Sequence, residues 1–175
     1  MSNCPHRIAM RYKRWATQGL NDVIAENLGR IVEPDRILVL RLLDHIHVVD
    51  EIFCHNLEAG FHGHLAPRSI ELPSFEAIDR KARAIAAWYV DYAEDLTPER
   101  RDAIVEFEYS NGAPARMTRG EMLMHVAMHG TYHRGQIGIL LQKNWVAPNS
   151  DRMTDFLESE RNAPDSALPA LVGAR

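Results

Sequence analysis

The sequence lacks the features that define several classes of protein. Its 175 residues contain only two cysteines, Cys4 and Cys54, which are too few for the disulfide framework of a small secreted protein. No apolar run approaches the roughly 18 residues of a membrane span, and the basic N-terminal segment has no apolar core like that of a signal peptide. We therefore expect a soluble protein in a reducing cytoplasm, without a membrane partner.

An excess of positive charge is also missing. Lysine and arginine number 20 against 24 aspartates and glutamates, which gives a net charge of -4 at pH 7. Because nucleic-acid binding needs a broad positive field, no nucleic-acid partner is expected. Hydrophobic residues at 46% and charged residues at 25% are ordinary for a globular protein, and the length suits one domain with a sizeable core.

Four long segments carry apolar residues at the three-to-four spacing of amphipathic helices. Pro34 and Ser74 are typical of the starts of the second and third segments, and Thr118 with Glu121 forms a capping box for the fourth. The predicted helices cover about 7–31, 34–59, 75–96 and 119–143.

A short β-hairpin is predicted between the third and fourth helices, because apolar residues alternate with glutamates at 105–109 ahead of the turn sequence Ser110-Asn111-Gly112. The fold class is therefore all-α, an antiparallel four-helix bundle with a short β-hairpin before the last long helix. The bundle domain is predicted to span residues 1–158, with one short helical turn around 153–157. Residues 159–175 are predicted to form a flexible C-terminal tail.

Histidine is the unusual component of the sequence, with nine in all. His125, His129 and His133 lie four residues apart on the fourth helix, so neighbouring pairs share one face and can converge on one metal ion. From His125 to His133 the direction drifts by about 80°, which is too wide for all three to reach one ion. Two of the three are expected to be ligands.

A third ligand must come from elsewhere, and His45 is the best candidate because it lies on the apolar stripe of the second helix. A lone buried histidine is more often a hydrogen-bonded core residue, which is the plain alternative for His45. His47 is expected to face elsewhere. The remaining histidines are expected at the surface or in loops, and they are His6, His55, His62 and His64.

Other metal chemistries fit the pattern less well. A zinc protease needs a glutamate directly after the first histidine of the pair, but Val126 follows His125 and Gly130 follows His129. A di-metal carboxylate bundle needs Glu-x-x-His on two helices, whereas Glu121 and His125 are four apart. A site of three imidazoles with an open position fits better; imidazole binds zinc and also suits nickel, iron and copper.

With these motifs the chain resembles the DinB-like (DinB/YfiT) superfamily, whose members are four-helix bundles with a three-histidine metal site. The resemblance assigns the metal to His45, His129 and His133 and leaves His125 as a neighbour. It implies one divalent transition metal ion, frequent homodimers and, in some relatives, transferase or isomerase reactions that use bacillithiol, mycothiol or glutathione. It rests on Tyr12-Lys13-Arg14-Trp15, Leu43-Asp44-His45 with Asp50, Phe107 with Gly112, and His125-Val-Ala-Met-His129-Gly-Thr-Tyr-His133-Arg134-Gly135-Gln136.

Two functions from different classes follow. The first is a metal-dependent enzyme, a transferase that delivers a low-molecular-weight thiol to a small electrophilic substrate. The alternative is a non-catalytic, metal-stabilised bundle that acts as a stress-response or binding module. A structural site would be closed by a fourth protein ligand, for which His125, Asp50 and Glu121 are the candidates.

The last expectations concern the residues that support the ligands and the pH dependence of metal binding. Asp50, Tyr132 and Gln136 are candidates to orient a ligand or the substrate. Because an imidazole must be neutral to bind a metal, affinity is expected to fall as the pH drops through about 6.5.

Overall fold

The computed structural model describes residues 4–60 and 62–162. Four long helices and a two-stranded antiparallel sheet dominate these residues. The elements are α1 (Pro5–Asn27) with a 3-10 turn (Leu28–Arg30), α2 (Glu33–Leu57), α3 (Phe75–Glu94), α4 (Pro98–Asp102), β1 (Ile104–Glu108), β2 (Pro114–Thr118), α5 (Arg119–Lys143) and α6 (Met153–Asn162).

The predicted all-α fold with a hairpin before the last long helix is confirmed. Local chemistry sets the helix boundaries: the Ser74 side chain caps α3, and both hydrogen bonds of the Thr118–Glu121 capping box are present at the start of α5. In the hairpin, Val105 pairs with Met117 and Phe107 pairs with Ala115.

Two short helices differ from the sequence predictions. Helix α4 was not predicted; Thr97 caps it and Pro98 occupies its first turn, where proline is favoured. Helix α6 replaces the single predicted turn because Phe156 is buried against Tyr12 and Trp15 of α1. It continues to Asn162, beyond the predicted end of the domain, and the rest of the predicted flexible tail, 163–175, lies outside the described residues.

The long helices pack so that α1 contacts α3 and α5, and α2 contacts the same two helices. Helices α1 and α3 run antiparallel, since Arg7 hydrogen-bonds to the Ala93 carbonyl at one end and Asn21 bonds to Asp79 at the other. Helices α2 and α5 also run antiparallel, since Leu57 meets the start of α5 through Arg119, whereas Asp35 meets Lys143 at its end.

Helices α1 and α5, in contrast, run side by side in the same direction. Gly120 lies next to His6 near the starts of both helices, and Gly130 lies next to Lys13 further along. With the antiparallel pairs, this places α2 and α3 in one direction and α1 and α5 in the other. The connection between α2 and α3 must therefore return along the length of α2.

Two apolar clusters fill the bundle, one towards each end. The first includes Met10, Phe53, Tyr89 and Leu123, and the second includes Leu20, Ile24, Val39, Ile78 and Ile137. On α2 and α5, His45, His129 and His133 lie at the level where one cluster gives way to the other. No helix of the described residues is both long and apolar enough to cross a membrane.

Candidate metal centre

Three imidazole rings converge between α2 and α5. One ring nitrogen from each of His45, His129 and His133 lies within 4.8 Å of the others, and each residue is partly buried. The Nε2 atoms of His45 and His129 are 3.0 Å apart. Nitrogens bound to one tetrahedral zinc ion at ordinary bond lengths are about 3.3 Å apart, so the spacing of this pair suits a shared ion.

The helix period explains why these three rings meet and His125 stays outside. His129 and His133 are one turn apart on α5, and the antiparallel α2 brings His45 opposite them. His125 lies a turn earlier, where its exposed ring stacks on Phe53 with centroids 4.5 Å apart. The group of converging rings therefore contains His129 and His133 and leaves His125 outside.

Hydrogen bonds at the far side of two rings leave the lone pair on the inward nitrogen of each. The Nδ1 atom of His45 donates to the carbonyl oxygen of Pro67 at 2.6 Å, and Nδ1 of His133 donates to Oε1 of Gln136 at 2.8 Å. Since each neutral ring has one proton, these bonds keep the lone pair on Nε2. An outward hydrogen bond of this kind is the usual support of a metal-ligating histidine.

The surroundings favour the neutral form of the two histidines on α5, His129 and His133. Burial lowers the pKa of His129 to about 3, and the neighbouring rings of His133 and His45 add to the effect. Burial lowers the pKa of His133 as well. These rings are therefore unprotonated at neutral pH, which is the form that binds a metal ion.

The other residues expected near the ligands lie in different positions. Gln136 contacts His133 directly, and the exposed Tyr132 ring packs edge-on against the same histidine with centroids 5.0 Å apart. Asp50 is buried, but its carboxylate forms an ion pair with the buried Lys13 of α1 and does not join the histidine group. The pairing with Lys13 was not visible in the sequence because the two residues are far apart in it.

The two histidines of α2 differ in their surroundings. His45 was expected on a buried stripe, but it is partly exposed at the edge of the bundle. His47 faces elsewhere, as expected: it is outside the histidine group and 4% exposed, and its Nε2 lies 3.2 Å from Oε1 of Glu51. Because α3 and α5 both pack on α2, its buried arc is wide enough to include both directions.

The four histidines expected at the surface or in loops are all partly buried, and none joins the metal group within the described residues. Two of them lie at the C-terminal half of α2, His55 within the helix and His64 in the connection that follows it. His55 bonds to the Glu51 carbonyl oxygen at 2.7 Å, and His64 lies 3.1 Å from the Glu51 carboxylate. The sequence did not show that the connection after α2 packs back along that helix, because a loop sequence does not reveal which helix it will follow.

The family model of the DinB family matches residues 9–166. The chain belongs to the DinB family. The match covers all four long helices except the first residues of α1, and it includes all three converging histidines. No curated protein and no solved structure matches the chain.

Proposed function

We propose that this DinB-family protein is a metal-dependent transferase that delivers a low-molecular-weight thiol to a small electrophilic substrate. His45, His129 and His133 would hold one divalent transition metal ion, with zinc, nickel and iron as the candidates. The observation that carries the proposal is the convergence of three imidazoles, with no fourth donor in the group among residues 4–60 and 62–162. Three protein ligands and one open position are typical of a catalytic site.

The side chains that might have closed the site are committed elsewhere. Asp50 is paired with Lys13 in the interior, and Glu121 accepts a hydrogen bond from the Thr118 amide at the start of α5. His125 is stacked on Phe53. These contacts favour an open site over the structural site of a non-catalytic, metal-stabilised bundle.

The thiol is proposed to come from outside the chain. Cys54 is buried in the apolar core, and burial raises the pKa of its thiol to about 12. A thiol of that acidity is protonated at neutral pH and is a poor nucleophile. Thiolate, not thiol, is the reactive form, so this side chain is unsuited to the reaction.

A bound divalent ion would supply the missing acidity, since it lowers the pKa of a water or thiol in its open position. The chain's own residues then hold the geometry: Pro67 and Gln136 fix the ring orientations of His45 and His133. In the transfer, the thiol releases its proton to solvent water, its sulfur bonds to the electrophilic carbon, and the leaving group departs with the bonding electron pair.

Space for a substrate lies along α5 beside the histidine row. A cavity of about 380 Å³ is lined by His125, Met124, Met128, His6 and Arg101, among other residues. The rings of His125 and His129 are 5.7 Å apart, so the cavity begins one helical turn from the metal ligands. Its exposed methionines offer a soft apolar surface that adapts to ligands of different shape.

The test is thiol binding to cobalt-substituted protein, because a thiolate on cobalt(II) gives a strong near-ultraviolet absorption. We expect this band on adding glutathione, bacillithiol or mycothiol, and we expect none with S-methylglutathione, which has no thiol to ionise. A thiol that gives the band should also be consumed when a generic electrophile is added, and S-methylglutathione should not be. If the cobalt protein shows no band with any of the three thiols, the transferase proposal is wrong, and a non-catalytic metal site becomes the better account.

A further inference from the structure

The connection between α2 and α3 lies against α2 and is fastened to it at several places. His64 contacts Glu51, and the Ser69 carbonyl oxygen accepts a hydrogen bond from Arg41 at 3.2 Å. Between these points the carbonyl oxygen of Pro67 accepts the hydrogen bond from Nδ1 of His45. A metal ligand of α2 thus depends for its orientation on a backbone group of the loop.

Asp44 holds the loop next to that carbonyl group. Its side chain is 1% exposed, and its two carboxylate oxygens accept separate hydrogen bonds from Ser69. The Ser69 amide donates at 2.8 Å and the Ser69 hydroxyl donates at 2.6 Å. Hydrogen bonds to a carboxylate are among the stronger ones in proteins, and a buried carboxylate without them is costly.

The spacing of the residues connects the Asp44–Ser69 hydrogen bonds, which we call the clamp, to the metal centre. Arg41, Asp44 and His45 occupy positions i, i+3 and i+4 of α2, so all three face the returning loop. Pro67 is two residues before Ser69. The hydrogen bonds that hold Ser69 against α2 therefore also keep the backbone around Pro67, with its carbonyl group, close to His45.

We infer that Asp44 is a positioning residue of the metal centre, which acts on His45 through Ser69 and the Pro67 carbonyl group. Holding that carbonyl against Nδ1 keeps the proton there and leaves Nε2 free to face His129. Without the clamp, the acceptor moves away, the proton can occupy either nitrogen and the ring can turn. The part of the inference that concerns metal binding rests on the proposed function, whereas the position of the proton does not.

The experiment compares four variants of the full chain. Asp44→Asn replaces one of the two accepting carboxylate oxygens by an amide nitrogen, which cannot accept a hydrogen bond from Ser69. Ser69→Ala removes only the hydrogen bond of the hydroxyl. Ser69→Thr keeps both donors and serves as the conservative replacement. Glu51→Gln weakens the contact between the same loop and α2 at His64, away from Pro67, and so controls for general loosening of the loop.

Two readouts are needed: zinc affinity from competition with a chromophoric chelator, and the proton position on His45 from nitrogen-15 NMR of metal-free protein. We expect zinc affinity to fall about 10- to 100-fold in Asp44→Asn and by roughly tenfold in Ser69→Ala, as for other outer supports of metal ligands. Ser69→Thr and Glu51→Gln should remain within about twofold of the parent. The His45 proton should be on Nδ1 in the parent and shared between both nitrogens in the first two variants.

Unchanged zinc affinity and an unchanged Nδ1 proton in Asp44→Asn and Ser69→Ala would overturn the inference, as would an equal loss of affinity in Glu51→Gln. If Asp44→Asn does not fold, Ser69→Ala decides the matter by the same two readouts. If the parent binds none of zinc, nickel and iron, the proposed function fails, and the NMR readout alone still decides whether Asp44 controls His45.

Discussion

His129 is the residue on which the chemistry of the site depends most. Its ring contacts those of His45 and His133, and its pKa of about 3 means that protons do not compete with a metal ion there until strongly acidic pH. The expectation of a loss of affinity at about pH 6.5 assumed three ordinary imidazoles. Burial changes that expectation for His129 and, in the same direction, for His133.

Zinc affinity should therefore depend on pH less steeply than three ordinary histidines would make it. Three rings with a pKa of about 6.5 would lose affinity by up to about a thousandfold per pH unit below that value. A ring that is already neutral adds nothing to this slope, so we expect a loss of less than about a hundredfold per unit between pH 6 and 5. Chelator competition at several pH values measures it, and a slope close to a thousandfold would show that the rings titrate normally.

Two glycines of α5 offer a matched test of packing beside the site. A Cβ atom on Gly130 would lie 3.0 Å from Nη1 of Arg134, a buried guanidinium that Asp151 holds in place, whereas a Cβ atom on Gly135 would meet nothing. Gly135→Ala should therefore stabilise the protein by up to about 1 kcal/mol, the helix-propensity difference. Gly130→Ala should destabilise it. Equal stabilisation in urea unfolding would mean that Arg134 moves aside freely.

At the scale of the element, α5 is the helix that the sequence defined best. Its predicted bounds, 119–143, are those of the structure, and a capping box marks its start. The returning loop had no comparable signal. Its position depends on contacts between residues distant in the chain, such as those between Ser69 and Asp44.

Removing the cap of α5 should lower stability without changing the metal centre. In Thr118→Ala the Glu121 amide loses its acceptor, which typically costs about 1 kcal/mol of unfolding free energy. Thr118→Ser keeps the acceptor and should stay within a few tenths of a kcal/mol of the parent. Urea unfolding tests both variants, and zinc affinity should match the parent in each. A large loss of zinc affinity in Thr118→Ala would show that the end of the helix and the site are coupled.

At the scale of the whole molecule, the sequence predicted the class of fold but not the directions of its helices. Periodicity identifies which face of a helix is apolar, and it does not tell which neighbour will cover that face. The side-by-side arrangement of α1 and α5 follows from contacts such as Gly130 with Lys13. For the same reason, the sequence left open what His47 packs against, and in the structure it is buried between α2 and its neighbours.

The central claim is that three histidines from two helices form one metal site. Elemental analysis of untagged protein, purified without chelators, tests it most directly in parallel with His129→Ala and His125→Ala. We predict about one zinc, nickel or iron ion per chain in the parent and in His125→Ala, and none in His129→Ala. Equal metal content in all three proteins would contradict the assignment, as would a parent that stays metal-free after reconstitution with each of the three metals.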